Sequence, residues 1–329
     1  MLKTLDAADP PQGEVDPQRE ARIRAAWIYY VEGRTQSEVA EELKLSRVAV
    51  TRLLSEARRR GEVSIRVVSP LTETVALERR LEARLGLRRA VVAPWMEGAG
   101  TDGSGDATPV IAAAAASLVT SLLQPGMTVG VGWGRTLHAM LGHLEARPVR
   151  DMRVVSLLGG ISEARRFNPA EFAWRFAETF EAEGLLVPAP ALVDSEETRR
   201  ALVDRCGLDQ VFRTAERSDV ALLSCGSLGS LNTSYRVGHL SEAERQSLIE
   251  AGAAGDVLYN FVDREGAVID HPINRRAMSV RLERLREVNE RVLVSGGADK
   301  ATIMPAAIGC VRPTTLVTDE ATARRLLGE

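Results

Sequence analysis

The amino-acid sequence predicts a small all-α helix-turn-helix segment followed by a larger, doubly wound α/β domain with a mostly parallel sheet. Short capped helices fill the first sixty residues, and from residue 89 onward Val- and Leu-rich runs alternate with helical stretches. A chain of 329 residues that is 45% hydrophobic can bury the cores of two domains. We expect a mobile tail over 1–15, the helix-turn-helix over 16–68, a linker or oligomerisation helix over 69–88 and the α/β domain over 89–329.

Capping residues delimit the N-terminal helices. The stretch from Thr35 to Glu38 is typical of a capping box, in which the Thr hydroxyl and the Glu carboxylate each accept a hydrogen bond from a backbone N–H. Ser46 is a good N-cap for the next helix, and Gly33 and Gly61 stand where a left-handed residue commonly ends a helix. Helices are therefore predicted over 17–32, 36–43 and 47–60, and the alternating residues 63–68 predict a wing or a strand.

The second and third helices have the features of a DNA-binding pair. Ala40 is small enough to lie where two such helices cross. Residues 16–66 hold eleven basic and eight acidic side chains, whereas the whole chain has a net charge of −3. A basic head on an acidic body favours double-stranded operator DNA as a partner, although a three-helix interaction domain with solvated charges would share the pattern. The predicted DNA contacts are Thr35, Gln36, Ser46, Arg47, Ala49, Thr51 and Arg52.

A glycine-rich turn lies between a predicted strand and a predicted helix; it comprises Gly132, Trp133, Gly134, Arg135 and Thr136. Glycines let a ligand approach the backbone, and the N–H groups at a helix start favour an anion. Arg135 can add charge, and Thr136 can cap the helix or bond a phosphate oxygen. Trp133 either packs on the ligand or covers the core. Such turns often make only a tight connection, so this one is weak evidence on its own.

Further candidates follow other predicted strands, because ligands of a parallel sheet bind beyond the carboxyl ends of its strands. Lys300 suits a phosphate or a hydroxyl-rich sugar, or else is a solvated lysine at a helix start. Asp256 and Asp263 can accept hydrogen bonds from sugar hydroxyls, although Asp263 equally suits a turn in Asp-Arg-Glu-Gly. The remaining candidates for the ligand site are Gly159, Gly160, Asn168, Gly226 and Asn274.

Several classes of protein are disfavoured by the composition. Three distant cysteines and four histidines without metal-ligand spacing predict neither a disulfide framework nor a metal site. The chain has no Walker or G-x-S-x-G motif. It opens without a secretory signal, and no apolar run reaches the roughly 18 residues of a membrane span. We therefore expect a cytoplasmic protein with no metal, no cofactor and no membrane contact.

The order of these motifs along the chain resembles the SorC family of sugar-responsive bacterial transcription regulators. In the helix-turn-helix, the resemblance rests on residues 26–33, 35–40, 45–47 and 57–61. In the α/β domain, it rests on residues 130–136, 157–160, 168, 252–256, 263–266, 271–276, 296–300 and 318–323. Several independent motifs in the same order cover about residues 20–328, which makes the resemblance specific.

The resemblance implies a DNA-binding transcription regulator of a carbohydrate-catabolism operon. Its effector domain would resemble sugar-phosphate isomerases in fold, and its small carbohydrate effector would be a phosphorylated sugar or sugar alcohol. Two positions depart from the family pattern. Ser224-Cys225-Gly226 stands where the family commonly has a Gly-x-Gly turn, and Ala254 stands where valine is commoner.

An oligomer is also expected, because one helix-turn-helix contacts too little DNA for firm specificity and paired half-sites supply the rest. The family resemblance implies a homotetramer. Leu77, Leu81 and Leu85 follow one another at four-residue spacing and form one helix face that could serve as the contact.

The competing interpretation is an enzyme, a sugar-phosphate isomerase or deaminase that carries a helix-turn-helix, since one fold can serve both functions. Such an enzyme needs a base beside C1 and C2 of the sugar. The sequence singles out no carboxylate or histidine for that role, so we expect a regulator without catalytic activity.

Overall fold

The structure is a computed structural model that describes residues 17–63, 72–94, 106–161, 168–229 and 240–329. The chain divides into two compact units, Met1–Ser69 and Pro70–Glu329. The predicted tail over 1–15 and the predicted wing beyond residue 63 lie outside the described residues. The boundary falls at the start of the predicted linker, so the helix predicted there belongs to the second unit.

The described residues of the first unit form the helices α1 (Pro17–Ala26), α2 (Gln36–Glu42) and α3 (Arg47–Arg59). Helix α1 continues as a π-helical turn over Trp27–Val31. The predicted capping box is confirmed, because the Thr35 hydroxyl accepts from the Glu38 N–H while the Glu38 carboxylate accepts from the Thr35 N–H. The Ser46 hydroxyl accepts from the Ala49 N–H, which confirms the second cap. Short-range hydrogen bonds thus fix where α2 and α3 begin.

A small core and one ion pair hold the first unit together. Val39 of α2 packs in the same buried cluster as Val50 and Leu54 of α3. The buried Arg22 guanidinium donates from Nε and Nη2 to the two Glu62 carboxylate oxygens, each at 2.7 Å. Hydrogen bonding from Arg22 lowers the pKa of Glu62, which keeps the carboxylate ionised near neutral pH. The pair therefore ties α1 to the segment that follows α3.

Strands and helices alternate along the second unit, as the sequence predicted from residue 89 onward. Its strands are β1 (Arg89–Ala93), β2 (Thr128–Val131), β3 (Arg153–Gly160), β4 (Glu183–Pro190), β5 (Val220–Leu223), β6 (Gly226–Ser227), β7 (Gly255–Val257), β8 (Asn260–Val262), β9 (Glu290–Val294) and β10 (Thr315–Asp319). Its helices are α4 (Thr72–Leu85), α5 (Thr108–Leu122), α6 (Arg135–Met140), α7 (Pro169–Thr179), α8 (Glu196–Arg205), α9 (Leu208–Glu216), α10 (Glu242–Glu250), α11 (Pro272–Arg276), α12 (Leu282–Leu285), α13 (Ile303–Val311) and α14 (Glu320–Leu327).

Seven strands form one parallel sheet in the order β1-β10-β9-β5-β2-β3-β4. From β2 the chain proceeds outward to β3 and β4, whereas β5, β9 and β10 extend the sheet in the opposite direction. The strand order therefore reverses between β2 and β5, and such a point leaves a ligand crevice beyond the carboxyl ends of the strands. A small antiparallel sheet of β6, β7 and β8 begins just after β5.

Helices cover both faces of the parallel sheet. Val220 and Leu222 of β5 belong to a buried cluster that includes Phe176 of α7. Leu223 of the same strand belongs to a second cluster, which includes Leu81 of α4. Successive residues of a strand point to opposite faces, so both sides of β5 are buried. This doubly wound arrangement confirms the predicted fold class.

Helix α4 is an integral part of the second unit and lies against β1 and α14. Leu77 and Leu81 are buried in the core, and Leu85 is half-buried against it. The Glu82 carboxylate accepts a hydrogen bond from the Ala90 N–H of β1 at 2.9 Å. The leucine row was therefore wrongly predicted as a candidate oligomer contact, because packing within one chain already covers it.

We expect Leu81→Ala to lower the free energy of unfolding of the second unit by about 2–5 kcal/mol, because it leaves a cavity in the core. Val75→Ala on the same helix is the matched control, since Val75 is exposed and the change should stay within about 0.5 kcal/mol. Urea denaturation followed by circular dichroism measures both. An unchanged unfolding midpoint in Leu81→Ala, with a reduced oligomeric mass, would show that the row is an interface after all.

Candidate functional site

The outward face of α3 is polar and basic at its start. Arg47, Thr51 and Arg52 are exposed, whereas Val50 and Leu54 on the opposite side are buried in the unit's core. Within the part of the chain that the structure describes, neither arginine side chain has an ion-pair partner. Both guanidinium groups are therefore available to a phosphate or a base edge.

The other predicted DNA contacts have structural roles. The hydroxyls of Thr35 and Ser46 accept the two capping hydrogen bonds. Gln36 Oε1 accepts from the Thr51 hydroxyl at 3.0 Å, which ties the start of α2 to α3. Ala49 is half-buried. These residues orient the outward face of α3, and any contact they make with DNA stays a prediction.

Val48 also lies on the outward face of α3, and the sequence prediction missed it. Its side chain is 79% exposed, the highest value among the exposed large hydrophobic residues of the described chain. Hydrophobicity assigns a valine to the core, but Val48 precedes the buried Val50 by two residues, which puts it on the other side of the helix. That helical spacing is the signal that could have found it.

Strands β2 and β5 lie side by side and end at the point where the strand order of the sheet reverses. The Gly132 N–H after β2 donates to the Leu222 carbonyl of β5 at 2.8 Å, and a Cβ at position 132 would lie 2.9 Å from that oxygen. Gly134 has a φ of 133°, which residues with side chains rarely adopt, and it immediately precedes α6. These two glycines therefore allow α6 to start close to the neighbouring strand.

Trp133 packs into the core. It is buried and stacks on Tyr259, with ring centroids 4.9 Å apart and an interplanar angle of 13°. Tyr259 lies in the turn between β7 and β8. Of the two alternatives for Trp133, the structure therefore supports a core residue that holds the small sheet against the glycine-rich turn.

Arg135 and Thr136 open α6 at the edge of the crevice. The Arg135 side chain is 28% exposed, and its Nη2 lies 3.9 Å from Asp106 Oδ1. The same Asp106 oxygen accepts a hydrogen bond from the Thr108 N–H at the start of α5, at 3.0 Å. Thr136 is buried. An anion bound to Arg135 would therefore compete with a carboxylate that is already in place.

A second cation, Lys300, lies beyond the end of β9. Its side chain is only 12% exposed, and its Nζ is 3.4 Å from Asp299 Oδ2. The buried Cys225 thiol after β5 donates to Ser295 Oγ at 3.3 Å. Burial raises the pKa of Cys225 to about 11, while the nearby Lys300 lowers it and Asp256 raises it. Cys225 therefore stays a neutral thiol, and these charges share one neighbourhood at the ends of β5 and β9.

Asp319 holds the glycine turn that follows β9. The sequence did not predict this role, although residues 318–323 are part of the family resemblance. Its Oδ2 accepts from the Gly297 N–H at 2.8 Å, and its Oδ1 accepts from the Thr322 N–H at 2.9 Å. One buried carboxylate thus holds the turn and caps α14. Any side chain at Gly296 would overlap it.

The candidates after β3 have packing roles. The Gly159 N–H donates to the Met278 carbonyl at 2.7 Å, and a Cβ there would clash with the backbone of β4. Asn168 caps α7, because its Oδ1 accepts from the Ala170 N–H at 3.0 Å, and its Nδ2 donates to the Ile161 carbonyl at 2.7 Å. Gly160, which ends β3, lies against this cap. These contacts shape the end of β3.

The small antiparallel sheet uses the polar atoms of two further candidates. Asp263 Oδ1 accepts from the N–H groups of Glu265 and Ala267, at 3.0 Å and 2.8 Å, and closes a turn. Asn274 Oδ1 accepts a hydrogen bond from the Phe261 N–H at 2.7 Å, and Asn274 Nδ2 donates to the carbonyls of Phe261 and Ile269. We therefore remove Asp263 and Asn274 from the candidate ligand site.

Gly226 and Asp256 pair across β6 and β7, immediately after Cys225. The Gly226 carbonyl lies so close to Gly255 that no Cβ fits between them. Asp256 is buried, and its Oδ2 accepts from the Tyr259 N–H at 3.1 Å. Both candidates therefore adjoin the ends of β5 and β9.

Among the described residues, no group of three or more His, Cys, Asp or Glu side chains is placed to hold a metal ion. No helix of those same residues has the length and apolar character needed to cross a membrane.

Comparisons with known proteins relate both units to one group. Residues 69–328 match the family model described as "Putative sugar-binding domain". The chain is 30% identical over 314 residues to the deoxyribonucleoside regulator of Bacillus subtilis, covering 94% of this chain and 98% of that protein. It is 29% identical over 311 residues to the erythritol catabolism regulatory protein EryD of Brucella abortus, covering 93% and 96%. The full-length sorbitol operon regulator SorC from Klebsiella pneumoniae matches in structure with a TM-score of 0.70 at 27% identity, covering 94% and 98%.

The fold and the two candidate sites define a transcription regulator, in which a helix-turn-helix is joined to a sugar-binding α/β domain. The chain belongs to the sugar-binding-domain family of regulators, the SorC family. The resemblance and the fold class predicted from the sequence are therefore both confirmed.

Proposed function

We propose that this protein binds operator DNA through α3 and that a phosphorylated sugar or sugar alcohol, bound beyond β2, β5 and β9, controls that binding. The observation that carries the proposal is the position of Arg135 and Lys300. Both cations lie at strand ends around the point where the strand order reverses, the usual ligand crevice of such a sheet. The relatives' names, which refer to a deoxyribonucleoside, erythritol and sorbitol, support a small polyhydroxylated effector.

A phosphate suits this region because Arg135, at the start of α6, follows β2 and Lys300 follows β9, the two strands that flank β5 in the sheet. Arg135 and Lys300 each lie beside a carboxylate, Asp106 and Asp299 respectively. A phosphate dianion would form ion pairs with these two cations, and the N–H groups at the start of α6 after Gly134 would donate further hydrogen bonds to it. Thr136, Gly132, Gly226 and Asp256 are the remaining proposed contacts. Gly159 and Gly160 end the neighbouring strand β3, Asn168 caps α7, and Trp133 is buried within the glycine-rich turn.

We further propose that the crevice binds its ligand without converting it. An isomerase would need a carboxylate or imidazole free to move a proton. Asp319 holds a turn, Asp299 pairs with Lys300, and Asp256 supports the turn at Tyr259. These roles favour the regulator over the sugar-phosphate isomerase or deaminase. Incubation with sugar phosphates, followed by chromatography of the products, tests for turnover directly.

The ligand can change operator affinity only by binding the DNA-competent and incompetent arrangements unequally. A coupling of about 1–3 kcal/mol, or roughly 5–150-fold in operator affinity, is typical of such systems.

For the DNA site, we expect Arg47→Ala combined with Arg52→Ala to abolish operator binding, because it removes two cations from the outward face of α3. Arg59→Ala is the matched control, since Arg59 also lies on α3 but pairs with Glu56. Gel shifts at two salt concentrations measure binding, and circular dichroism checks folding. Wild-type affinity in the folded double variant would exclude docking through α3.

For the effector site, we expect Arg135→Ala combined with Lys300→Ala to remove the effector response and leave ligand-free operator binding intact. Both cations are needed to hold a dianion in a site that also contains Asp106 and Asp299. A thermal-shift screen of sugar phosphates and sugar alcohols identifies the effector, because a ligand of the folded state raises its stability. Titration calorimetry then compares the two proteins.

Two outcomes of that calorimetry would contradict the site. Equal affinity of the double variant for the identified effector would show that Arg135 and Lys300 are not the anion site. Equal affinity of wild type for the sugar and its phosphate would show that the ligand is recognised without its phosphate.

We propose that the regulator is a homotetramer, in line with the need for paired half-sites. The first unit offers a surface for such pairing in place of the buried leucine row. Ile23, Trp27 and Val31 follow one another at four-residue spacing on α1 and its π-helical turn, and they are 43%, 59% and 61% exposed. A row of three exposed apolar side chains on one helix favours contact with a second copy.

We expect Trp27→Glu to lower the oligomeric mass measured by light scattering, because a charge in the row opposes burial. Val48→Glu is the matched control, since it introduces the same charge at an exposed apolar position on another helix. A monomeric wild-type protein, with and without DNA, would contradict the oligomer. A Trp27→Glu variant with wild-type mass would exclude the row as the contact.

A further inference from the structure

The exposed Val48 side chain lies within the basic face of the DNA-binding helix. It is the second residue of α3, and 79% of it is exposed, whereas Val50, Leu54 and Ala57 of the same helix are buried. The fold gains nothing from this side chain, because valine has a lower helix propensity than alanine and Val48 is absent from the unit's core cluster. Val48 can therefore contact a molecule outside the unit without loss to the unit's core.

The neighbours of Val48 define which molecule it meets. Arg47 precedes it, and Thr51 and Arg52 lie one helical turn further along the same outward face. Helices of this kind enter the major groove with their N-terminal residues closest to the bases. The Thr51 hydroxyl is hydrogen-bonded to Gln36 Oε1 and to the Arg47 carbonyl, so it is held against the protein. Val48 is the apolar residue of this face, and no hydrogen bond holds its side chain against the protein.

The 5-methyl group of thymine is the largest apolar group that the base edges present in the major groove. It is therefore the group against which an exposed valine at the start of the helix can bury the most apolar surface. We propose that Val48 contacts a thymine methyl group in each operator half-site and so specifies an A·T pair there. The proposal rests on the proposed docking of α3 and adds a sequence determinant to it.

Replacement of thymine by deoxyuridine tests the contact, because it removes the methyl group and leaves base pairing unchanged. An operator is first selected from random duplexes with the wild-type protein. Each thymine is then replaced singly by deoxyuridine, and the dissociation constants are measured by fluorescence anisotropy. We expect the replacement of one thymine in each half-site to lower the affinity about fourfold, which is the contribution of one buried methyl group.

The Val48→Ala variant supplies the second arm. It should bind the thymine operator more weakly than wild type, by about fivefold to fifteenfold for each half-site, because two side-chain methyl groups are lost at each contact. At the sensitive thymine, replacement by deoxyuridine should then have almost no further effect. Val75→Ala is the matched control, since Val75 is also an exposed valine on a helix but lies in the second unit. It should keep the full fourfold sensitivity.

Two results would overturn the inference while α3 docking stands. In one, the wild-type protein binds every deoxyuridine duplex as tightly as the parent duplex. In the other, Val48→Ala keeps the same loss at the same thymine. If Arg47→Ala with Arg52→Ala also leaves operator binding unchanged, the docking of α3 and the thymine contact fail together. Circular dichroism of Val48→Ala separates these results from unfolding, and the alanine should not weaken the helix.

Discussion

The reversal of strand order between β2 and β5 is the constraint on which the ligand-binding unit depends. Because the sheet extends in opposite directions from this pair, the connections that leave β2 and β5 diverge, and ligands of such sheets commonly bind beyond the strand ends at this point. The backbone of Gly132 bonds directly to β5, so the turn into α6 has no room for a side chain there. The rest of the candidate site is arranged around this close approach.

Carboxylates around the crevice act mainly on the protein itself. Asp319 bonds the turn after β9 and the start of α14, and Asp106 lies beside Arg135 while it accepts a hydrogen bond from the Thr108 N–H. Asp299 lies beside Lys300 in the same way. The charge of each cation in the proposed anion site is thus partly neutralised by a carboxylate without ligand. A bound dianion would replace Asp106 beside Arg135 and Asp299 beside Lys300, and the turns that contain these two carboxylates would then change their contacts.

The two units use exposed and buried apolar residues in different ways. In the second unit, the leucine row of α4 is buried because it packs on β1 and α14. In the first unit, Trp27 and Val48 remain exposed on separate helices. Exposed apolar side chains such as these suit contact with partners, and we propose a second copy of the chain for Trp27 and DNA for Val48.

The sequence by itself determined the capped helix starts of the first unit, the fold class of the second unit and the family. Capping bonds such as those of Thr35 and Ser46 span three residues, and strand periodicity is equally local, so both are visible in the chain. Only the tertiary structure decided which polar residues were free to bind a ligand. Asn274 and Asp263 match the family motifs, yet their atoms are bonded to backbone that the fold brings to them. Trp133 meets Tyr259, and Asp319 meets Gly297, across separations in sequence that no local pattern encodes.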